Sequence, residues 1–181
     1  GLRYAADVGA AAYITRMRVA LLRDTGAAIS PFNAWLLLQG LETLPLRVQR
    51  HVENASRLAD WLEQHPAVAW VEYAGLKSSK YNILSNKYFP KGPGSIFTFG
   101  IKGGREEAMK VIDSLEIFSD LANVADAKSL VIHPASTTHS QLSEAALKAS
   151  GISQDLIRLS VGLEDYDDLR DDLDQALNSI L

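Results

Sequence analysis

A single arginine in an apolar strand is the residue of this sequence best suited to hold an anion. The segment Asp155 to Asp165 predicts a strand, in which side chains alternate between two faces. One face carries Ile157, Leu159 and Val161, so Arg158 points to the opposite side. A guanidinium stays charged and presents a planar set of donors that matches a carboxylate or a phosphate. Two interpretations stay open at this point: an anion-binding residue, or a structural ion pair with an Asp or Glu.

Two other polar segments could contribute to a site. Residues His133 to Ser140 place imidazoles and hydroxyls within eight positions after a predicted strand. Such side chains also bond their own backbone in turns, so a turn and a site both remain open for this segment. The acids Glu164, Asp165, Asp167 and Asp168 open the last predicted helix, where negative charge favours the positive end of the helix dipole. We interpret that cluster as helix capping rather than catalysis.

Several familiar catalytic motifs are missing from the sequence. Lys91 to Gly94 and Lys102 to Gly104 are glycine-rich but lack the spacing of phosphate-binding loops, so we interpret both as turns. Lys80 lies in a polar segment, whereas a nucleophilic lysine must be desolvated. No Gly-x-Ser-x-Gly elbow exposes a serine. The residues alone therefore indicate an oriented arginine without a self-contained catalytic set.

Composition narrows the class of protein. The chain has 181 residues, 47% apolar and 22% charged, with a net charge of -4 and no basic stripe, which argues against nucleic-acid binding. Apolar runs such as Ala34 to Leu38 are too short to span a bilayer.

The absence of cysteine excludes disulfides and thiolate chemistry and suits the cytoplasm. The four histidines lack metalloprotease spacing, so we expect no metal site. Since the chain begins Gly1-Leu2-Arg3, we expect a longer polypeptide.

The first part of the chain predicts helices. Residues 5–22 are rich in alanine and leucine, and Gly26 supplies a residue that commonly closes a helix. Ser30 followed by Pro31 is a strong start signal for a helix over 32–41, which we expect to be buried on most sides because it carries almost no charge. Thr43 is placed to cap another helix, running to His65. We place a domain boundary here, giving domains 1–44 and 45–181.

The second part predicts short strands with helices between and after them. The strands cover residues 67–73, 95–101, 129–132 and 156–161. Two amphipathic helices carry apolar faces at Ala108 to Leu115 and Leu169 to Ile180. Residues 75–94 are expected to form a long polar loop. The predicted class is α/β, an α+β layer whose small, largely antiparallel sheet is covered by helices on one face.

Five blocks of this sequence resemble one enzyme family. They are residues 22–34, 37–46, 122–130, 133–139 and 157–165, and their order and spacing agree over essentially the whole chain. The family is that of the pyridoxal-phosphate enzymes of cysteine and methionine metabolism. The resemblance implies a fold-type I transferase architecture, of which this chain would be the end of the large domain plus the complete small C-terminal domain.

The resemblance also implies which site residues are present and which are not. The Schiff-base lysine of the family lies in a Ser-x-Thr-Lys motif expected upstream of residue 1, as do the other cofactor-binding residues, so we expect no catalytic residue in this chain. Arg158 matches the arginine that binds the substrate α-carboxylate. Asn123 stands where several relatives, including lyases, have a serine beside the cofactor and the substrate carboxylate. We therefore expect Asn123 to line the substrate pocket, although the exact role of that serine does not carry over to an asparagine. Val124 would line the same pocket, and Thr138 would support the loop beneath it.

The activity implied by the resemblance is a γ-replacement reaction. O-acetyl-L-homoserine and sulfide would give L-homocysteine and acetate, a step of methionine biosynthesis, with pyridoxal 5'-phosphate as cofactor. Two activities of the same family stay open as alternatives, cystathionine γ-synthase and methionine γ-lyase. A non-catalytic amino-acid-binding or oligomerisation domain is a third. The resemblance further implies a homotetramer whose partners are a small amino acid and sulfide. From composition we expect a cytoplasmic protein that binds neither nucleic acid nor membrane.

Overall fold

The computed structural model describes residue 1 and residues 3–181. These residues divide into two compact units, Gly1–Thr43 and Leu44–Leu181. The first unit is helical, and the second contains the whole β-sheet. No described helix is long and apolar enough to cross a membrane.

The first unit is a series of short helices. They are α1 (Tyr4–Val8), a 3₁₀ turn (Gly9–Ala11), α2 (Ala12–Arg16), a π-helical turn (Met17–Leu22), α3 (Arg23–Thr25) and α4 (Pro31–Glu42). The prediction of one continuous helix over residues 5–22 was therefore wrong, although these residues are helical. Gly9 has a φ of 60°, which an α-helix does not accommodate, and none of these helices buries a residue that would stabilise a longer one.

The predicted signals around α4 are confirmed. Gly26 adopts the left-handed conformation at the end of α3, and the Ser30 hydroxyl accepts a hydrogen bond from the Asn33 amide with Pro31 in the first turn. The expectation that α4 is buried is not met within this chain. Phe32, Trp35 and Leu36 are 64%, 53% and 48% exposed, and α4 has no buried residue.

The second unit alternates helices and strands. Its elements are α5 (Leu44–Leu62), β1 (Val68–Glu72), α6 (Asn82–Tyr88), β2 (Ile96–Ile101), α7 (Arg105–Asp113), β3 (Ser119–Asp120), β4 (Leu130–Ile132), α8 (Glu144–Ala149), β5 (Leu156–Ser160) and α9 (Tyr166–Asn178). The four predicted strands are confirmed as β1, β2, β4 and β5. The predicted loop 75–94 instead contains α6, whose exposed Ile83 and Leu84 give no amphipathic pattern from which a helix could be read.

The sheet is mostly antiparallel, as predicted. Its strand order is β1-β2-β5-β4-β3, and all neighbouring pairs are antiparallel except β3 with β4. Strand β5 is therefore central, paired with β2 on one side and β4 on the other. Because both edges of β5 are hydrogen-bonded, a side chain on it is held by a rigid backbone.

One face of the sheet is closed by helices α5, α7 and α9. Ile157, Leu159 and Val161 on and after β5 are completely buried, and they join a single core with fully buried residues of the three helices (Ala55, Leu58, Ala59, Leu62, Ala108, Leu169, Leu173, Ala176 and Leu177). The alternation of side chains in β5 then places Arg158 on the other face. The core thus fixes the strand from which the arginine projects.

Candidate functional site

Arg158 lies in the middle of the central strand. Its backbone pairs with Thr98 of β2 and with Ile132 of β4, so its Cα position is fixed from both sides. The side chain is half-buried. This is the placement that the alternation of apolar residues in the sequence predicts.

The guanidinium of Arg158 has a protein partner but no anionic one. Its Nη2 donates a hydrogen bond of 3.2 Å to the backbone carbonyl oxygen of Asn123. Across residue 1 and residues 3–181, the ion pairs within 4.0 Å do not involve Arg158. Among the described residues, therefore, no acidic side chain supports the interpretation of Arg158 as part of a structural ion pair. One of five guanidinium N–H donors is used, and the others are available to a ligand.

The carbonyl that Arg158 contacts belongs to residues 121–129, which connect β3 to β4 and are called the Asn123 loop below. The Asn123 side chain is used inside this loop: its Nδ2 donates to Asp126 Oδ2 at 3.0 Å, and its Oδ1 accepts from the Val124 amide at 2.9 Å. Asp126 Oδ1 also accepts from the Lys128 amide at 3.2 Å. Ala125 has a φ of 56°, unusual for a residue with a side chain. The loop is thus held in one specific turn.

Val124 and Ala125 border a cavity of about 320 Å³. The other walls come from α5 and from the segment that leads into β2 (Val48, His51, Val52 and Pro93 to Ile96). Tyr73 supports that segment, because its hydroxyl donates to the Gly94 carbonyl at 2.8 Å. Burial raises the pKa of Tyr73, so the phenol keeps the proton that it donates. The cavity is mainly apolar and adjoins the loop that Arg158 contacts.

The structure brings three of the four predicted site residues together. Arg158 contacts Asn123, and Val124 follows Asn123 in the chain. Thr138 is exposed, and its hydroxyl bonds His139 Nδ1 at 2.9 Å. Within the described residues Thr138 makes no hydrogen bond to Asn123 or Arg158. Its support of the loop therefore stays a prediction.

The segment that contains Thr138 forms a turn around a buried histidine. His133 is almost fully buried; its Nε2 lies 2.9 Å from the Gln154 carbonyl and its Nδ1 lies 2.8 Å from the Ser136 hydroxyl. Since a carbonyl only accepts, Nε2 carries the proton and Nδ1 accepts from Ser136. Both ring nitrogens are used by the protein, so the geometry favours the turn interpretation of residues 133–140.

Sequence reasoning missed a group of residues behind the Asn123 loop. Glu164 was interpreted as a capping acid of the last helix, and this was wrong. Asp165 is the N-cap of α9, accepting from the Asp167 amide at 2.9 Å. The Glu164 carboxylate instead accepts from the Ser129 amide at 2.7 Å and from the Ser129 hydroxyl at 2.8 Å. Ser129 lies 35 positions away in sequence, so no local pattern could have revealed this contact.

The lysines of the chain do not fit a covalent cofactor site. Every one of them is exposed, including Lys80, whereas an amine that forms a Schiff base at neutral pH needs a desolvated setting. No group of three His, Asp or Glu side chains suited to a metal ion occurs in the described chain. Arg158 is the residue of this site whose remaining donors match a carboxylate, and the described residues offer no lysine in a desolvated setting.

The matching family model and two relatives of high identity point to the same enzyme family. The family described as "Cys/Met metabolism PLP-dependent enzyme" matches residues 7–178. O-acetyl-L-homoserine sulfhydrylase 1 of Thermus thermophilus is 50% identical over 177 residues, which are 98% of this chain and 42% of that protein. O-acetyl-L-homoserine sulfhydrylase of Leptospira meyeri is 54% identical over 170 residues, 93% of this chain and 38% of that protein.

A solved structure shares the fold. The putative O-acetylhomoserine (thiol)-lyase of Campylobacter jejuni, determined with a pyridoxyl-lysine monophosphate, superimposes with a TM-score of 0.83 and 48% identity. The match covers 91% of this chain and 39% of that one. This chain thus spans about 40% of the length of the relatives that it matches.

Proposed function

The chain belongs to the Cys/Met metabolism PLP-dependent enzyme family, and from this premise we propose that it is the carboxylate-binding part of an O-acetylhomoserine sulfhydrylase. The reaction is the conversion of O-acetyl-L-homoserine and sulfide to L-homocysteine and acetate, a step of methionine biosynthesis. The observation that carries the proposal is Arg158, a half-buried cation on the central strand with free donors and no acidic partner in the described chain.

Arg158 binds the α-carboxylate of the amino-acid substrate through two parallel hydrogen bonds. A planar fork on a strand that is paired along both edges fixes the direction of the carboxylate, and therefore the orientation of Cα. The contact with the Asn123 carbonyl holds the plane of the guanidinium before substrate arrives. Val124 lines the substrate pocket beside it. The role of this chain in the reaction is therefore binding and orientation.

Pyridoxal 5'-phosphate is held by other residues of the complete protein. The exposed lysines of this chain support that assignment, since none has the environment of a Schiff-base lysine. We place the end of the large cofactor-binding domain at residues 1–44 and the small C-terminal domain at residues 45–181. Apolar side chains of α4 that are exposed in this chain, among them Phe32 and Trp35, support a covering layer from the rest of the protein.

The complete enzyme works in the cytoplasm as a homotetramer. This part of the proposal is supported by the resemblance to the family and by a chain without cysteine. Light scattering of the complete protein measures the mass of the assembly directly. A monomer at micromolar concentration would exclude the tetramer.

The activity is tested by assaying the complete polypeptide with O-acetylhomoserine and two nucleophiles, sulfide and cysteine. We expect homocysteine and acetate in equal amounts with sulfide, and much slower reaction with cysteine. The matched control is the 181-residue chain alone, which we expect to show neither a pyridoxal absorption band nor turnover, because it has no suitable lysine.

Each alternative gives a different outcome in the same assay. Faster formation of cystathionine from cysteine would identify a cystathionine γ-synthase. Release of methanethiol from methionine without a second substrate would identify a methionine γ-lyase. Saturable amino-acid binding without turnover in the complete protein would favour a non-catalytic binding domain.

A further inference from the structure

We propose that Glu164 is a positioning residue that holds the Asn123 loop against Arg158 and thereby sets how tightly the site binds a substrate carboxylate. The inference rests on the proposed function, since it acts on the same arginine. Its basis is a set of polar contacts behind the Asn123 loop, made by α5 and by the segment that follows β5.

The first step is that Glu164 ties together two segments distant in sequence. Each of its carboxylate oxygens accepts a hydrogen bond from Ser129, one from the amide and one from the hydroxyl. The Ser129 hydroxyl in turn accepts from the Gly162 amide at 2.8 Å. Hydrogen bonds to a charged carboxylate are shorter and stronger than neutral ones. The end of the Asn123 loop is therefore fixed to the segment that follows β5.

Backbone contact between the two segments leaves little room for adjustment. The Leu163 amide donates to the Ala127 carbonyl at 2.9 Å. A Cβ added to Gly162 would lie 2.5 Å from both the Ala127 oxygen and the Ser129 nitrogen, closer than real Cβ contacts. Glycine is thus required at this position because the loop passes directly over it.

Helix α5 anchors the same junction from the core side. Asn54 Nδ2 donates to the carbonyls of Gly162 at 3.1 Å and Glu164 at 2.9 Å, and His51 Nδ1 donates to the Val161 carbonyl at 2.7 Å. His51 and Asn54 are themselves buried. The carboxylate of Glu164 therefore projects from a backbone that cannot easily move, and the loop is the element that it positions.

The loop transmits this position to Arg158. Its Lys128 amide, next to Ser129, is bonded to Asp126, which is bonded to the Asn123 side chain, and the Asn123 carbonyl accepts from Arg158. Weakening the Glu164 contact frees the loop and removes the acceptor that orients the guanidinium. We expect the loss to appear in substrate binding, because Glu164 itself touches neither substrate nor cofactor.

The test is a double-mutant cycle in the complete enzyme with Glu164→Gln, Arg158→Ala and the combination. Glutamine keeps the size of the side chain but lacks the second acceptor for Ser129. We expect Glu164→Gln to raise KM for O-acetylhomoserine about five- to tenfold, with kcat nearly unchanged, as for the loss of one part-buried hydrogen bond. In the Arg158→Ala background the same change should add almost nothing, because the residue through which Glu164 acts is gone. Asp168→Asn, an exposed acid of α9, is the matched control.

A second variant and a second readout keep the test decisive if Glu164→Gln folds poorly. Ser129→Ala removes the hydroxyl, and with it the contacts to Glu164 and to the Gly162 amide, but leaves the hydrogen bond from the Ser129 amide to Glu164. In either variant, amide hydrogen exchange of the complete enzyme should accelerate at Val124 and Lys128 while α9 keeps its protection. Losses that multiply in the double mutant, or an unchanged KM in a folded Glu164→Gln enzyme, would overturn the inference while leaving the role of Arg158 intact. Normal kinetics of Arg158→Ala alone would overturn the proposed carboxylate site itself, and this inference with it.

Discussion

The two faces of strand β5 differ in how completely their side chains are packed and paired by the described residues. On one face Ile157, Leu159 and Val161 are completely buried against helices of the same chain. On the other face Arg158 keeps most of its donors free and finds only a backbone carbonyl. The apolar face is complete within the described residues, whereas none of their acidic side chains pairs with Arg158. One strand therefore places core residues and a cation with free donors on alternate positions.

The carboxylates of Asp172 and Glu164 differ in a related way, since each accepts a backbone amide of a different segment. Asp172 of α9 is buried and accepts from the amides of Glu116 and Ile117, each at 2.9 Å, fixing the segment that enters β3. Glu164 also accepts a backbone amide, but its partner belongs to the Asn123 loop. The chemistry of the two contacts is alike, and their consequences differ because only one of the segments that they hold contacts Arg158.

The largest expected effect is on the core face. Leu159→Ala should lower the free energy of unfolding by about 2–5 kcal/mol, since it leaves a cavity in a closely packed core. Urea unfolding of the 181-residue chain measures this, with the exposed Leu84→Ala as a matched control expected to change stability by less than about 0.5 kcal/mol. Equal losses for both variants would mean that the face taken as the core is not closely packed.

A smaller effect is expected at Asp172. Asp172→Asn replaces one acceptor oxygen with an amino group, which leaves at least one of the backbone donors at Glu116, Ile117 and Phe118 without an acceptor and should cost about 1–3 kcal/mol of stability. In the complete enzyme the protein that remains folded should retain its KM for the amino-acid substrate, because no hydrogen bond or ion pair among the described residues joins the segment before β3 to Arg158. A raised KM at unchanged stability would contradict the separation between the two carboxylates.

The sequence predicts four of the five strands and the face on which Arg158 lies, because both follow from the local alternation of apolar and polar residues. A period of two in residues 156–161 is enough to identify β5 and to place Arg158 away from the core. The helix α4 start at Ser30-Pro31 is equally local and equally well predicted. The two-residue strand β3 was missed because Ser119 and Asp120 have no strand-like pattern and pair only through β4.

The Asn123 loop shows where prediction from the sequence ends. Asn123 could be named because the surrounding block resembles a family, but its contact with Arg158 through the backbone carbonyl carries no side-chain signal. Glu164 looked like an ordinary acid at a helix start, and only the fold brings it to Ser129. Contacts that depend on two distant segments meeting have no periodicity that a single sequence could display.

The central claim is that Arg158 binds the substrate carboxylate, and equilibrium binding of two ligands to the complete enzyme tests it most directly. L-homoserine carries the carboxylate, and 3-aminopropan-1-ol is the same molecule without it. In the unmodified enzyme the carboxylate should strengthen binding about 10- to 100-fold, the value of charge-assisted hydrogen bonds. In Arg158→Ala this preference should fall to near one, and Arg158→Lys should restore only part of it, because a point charge lacks the planar fork. An undiminished preference for L-homoserine in a folded Arg158→Ala enzyme would contradict the account.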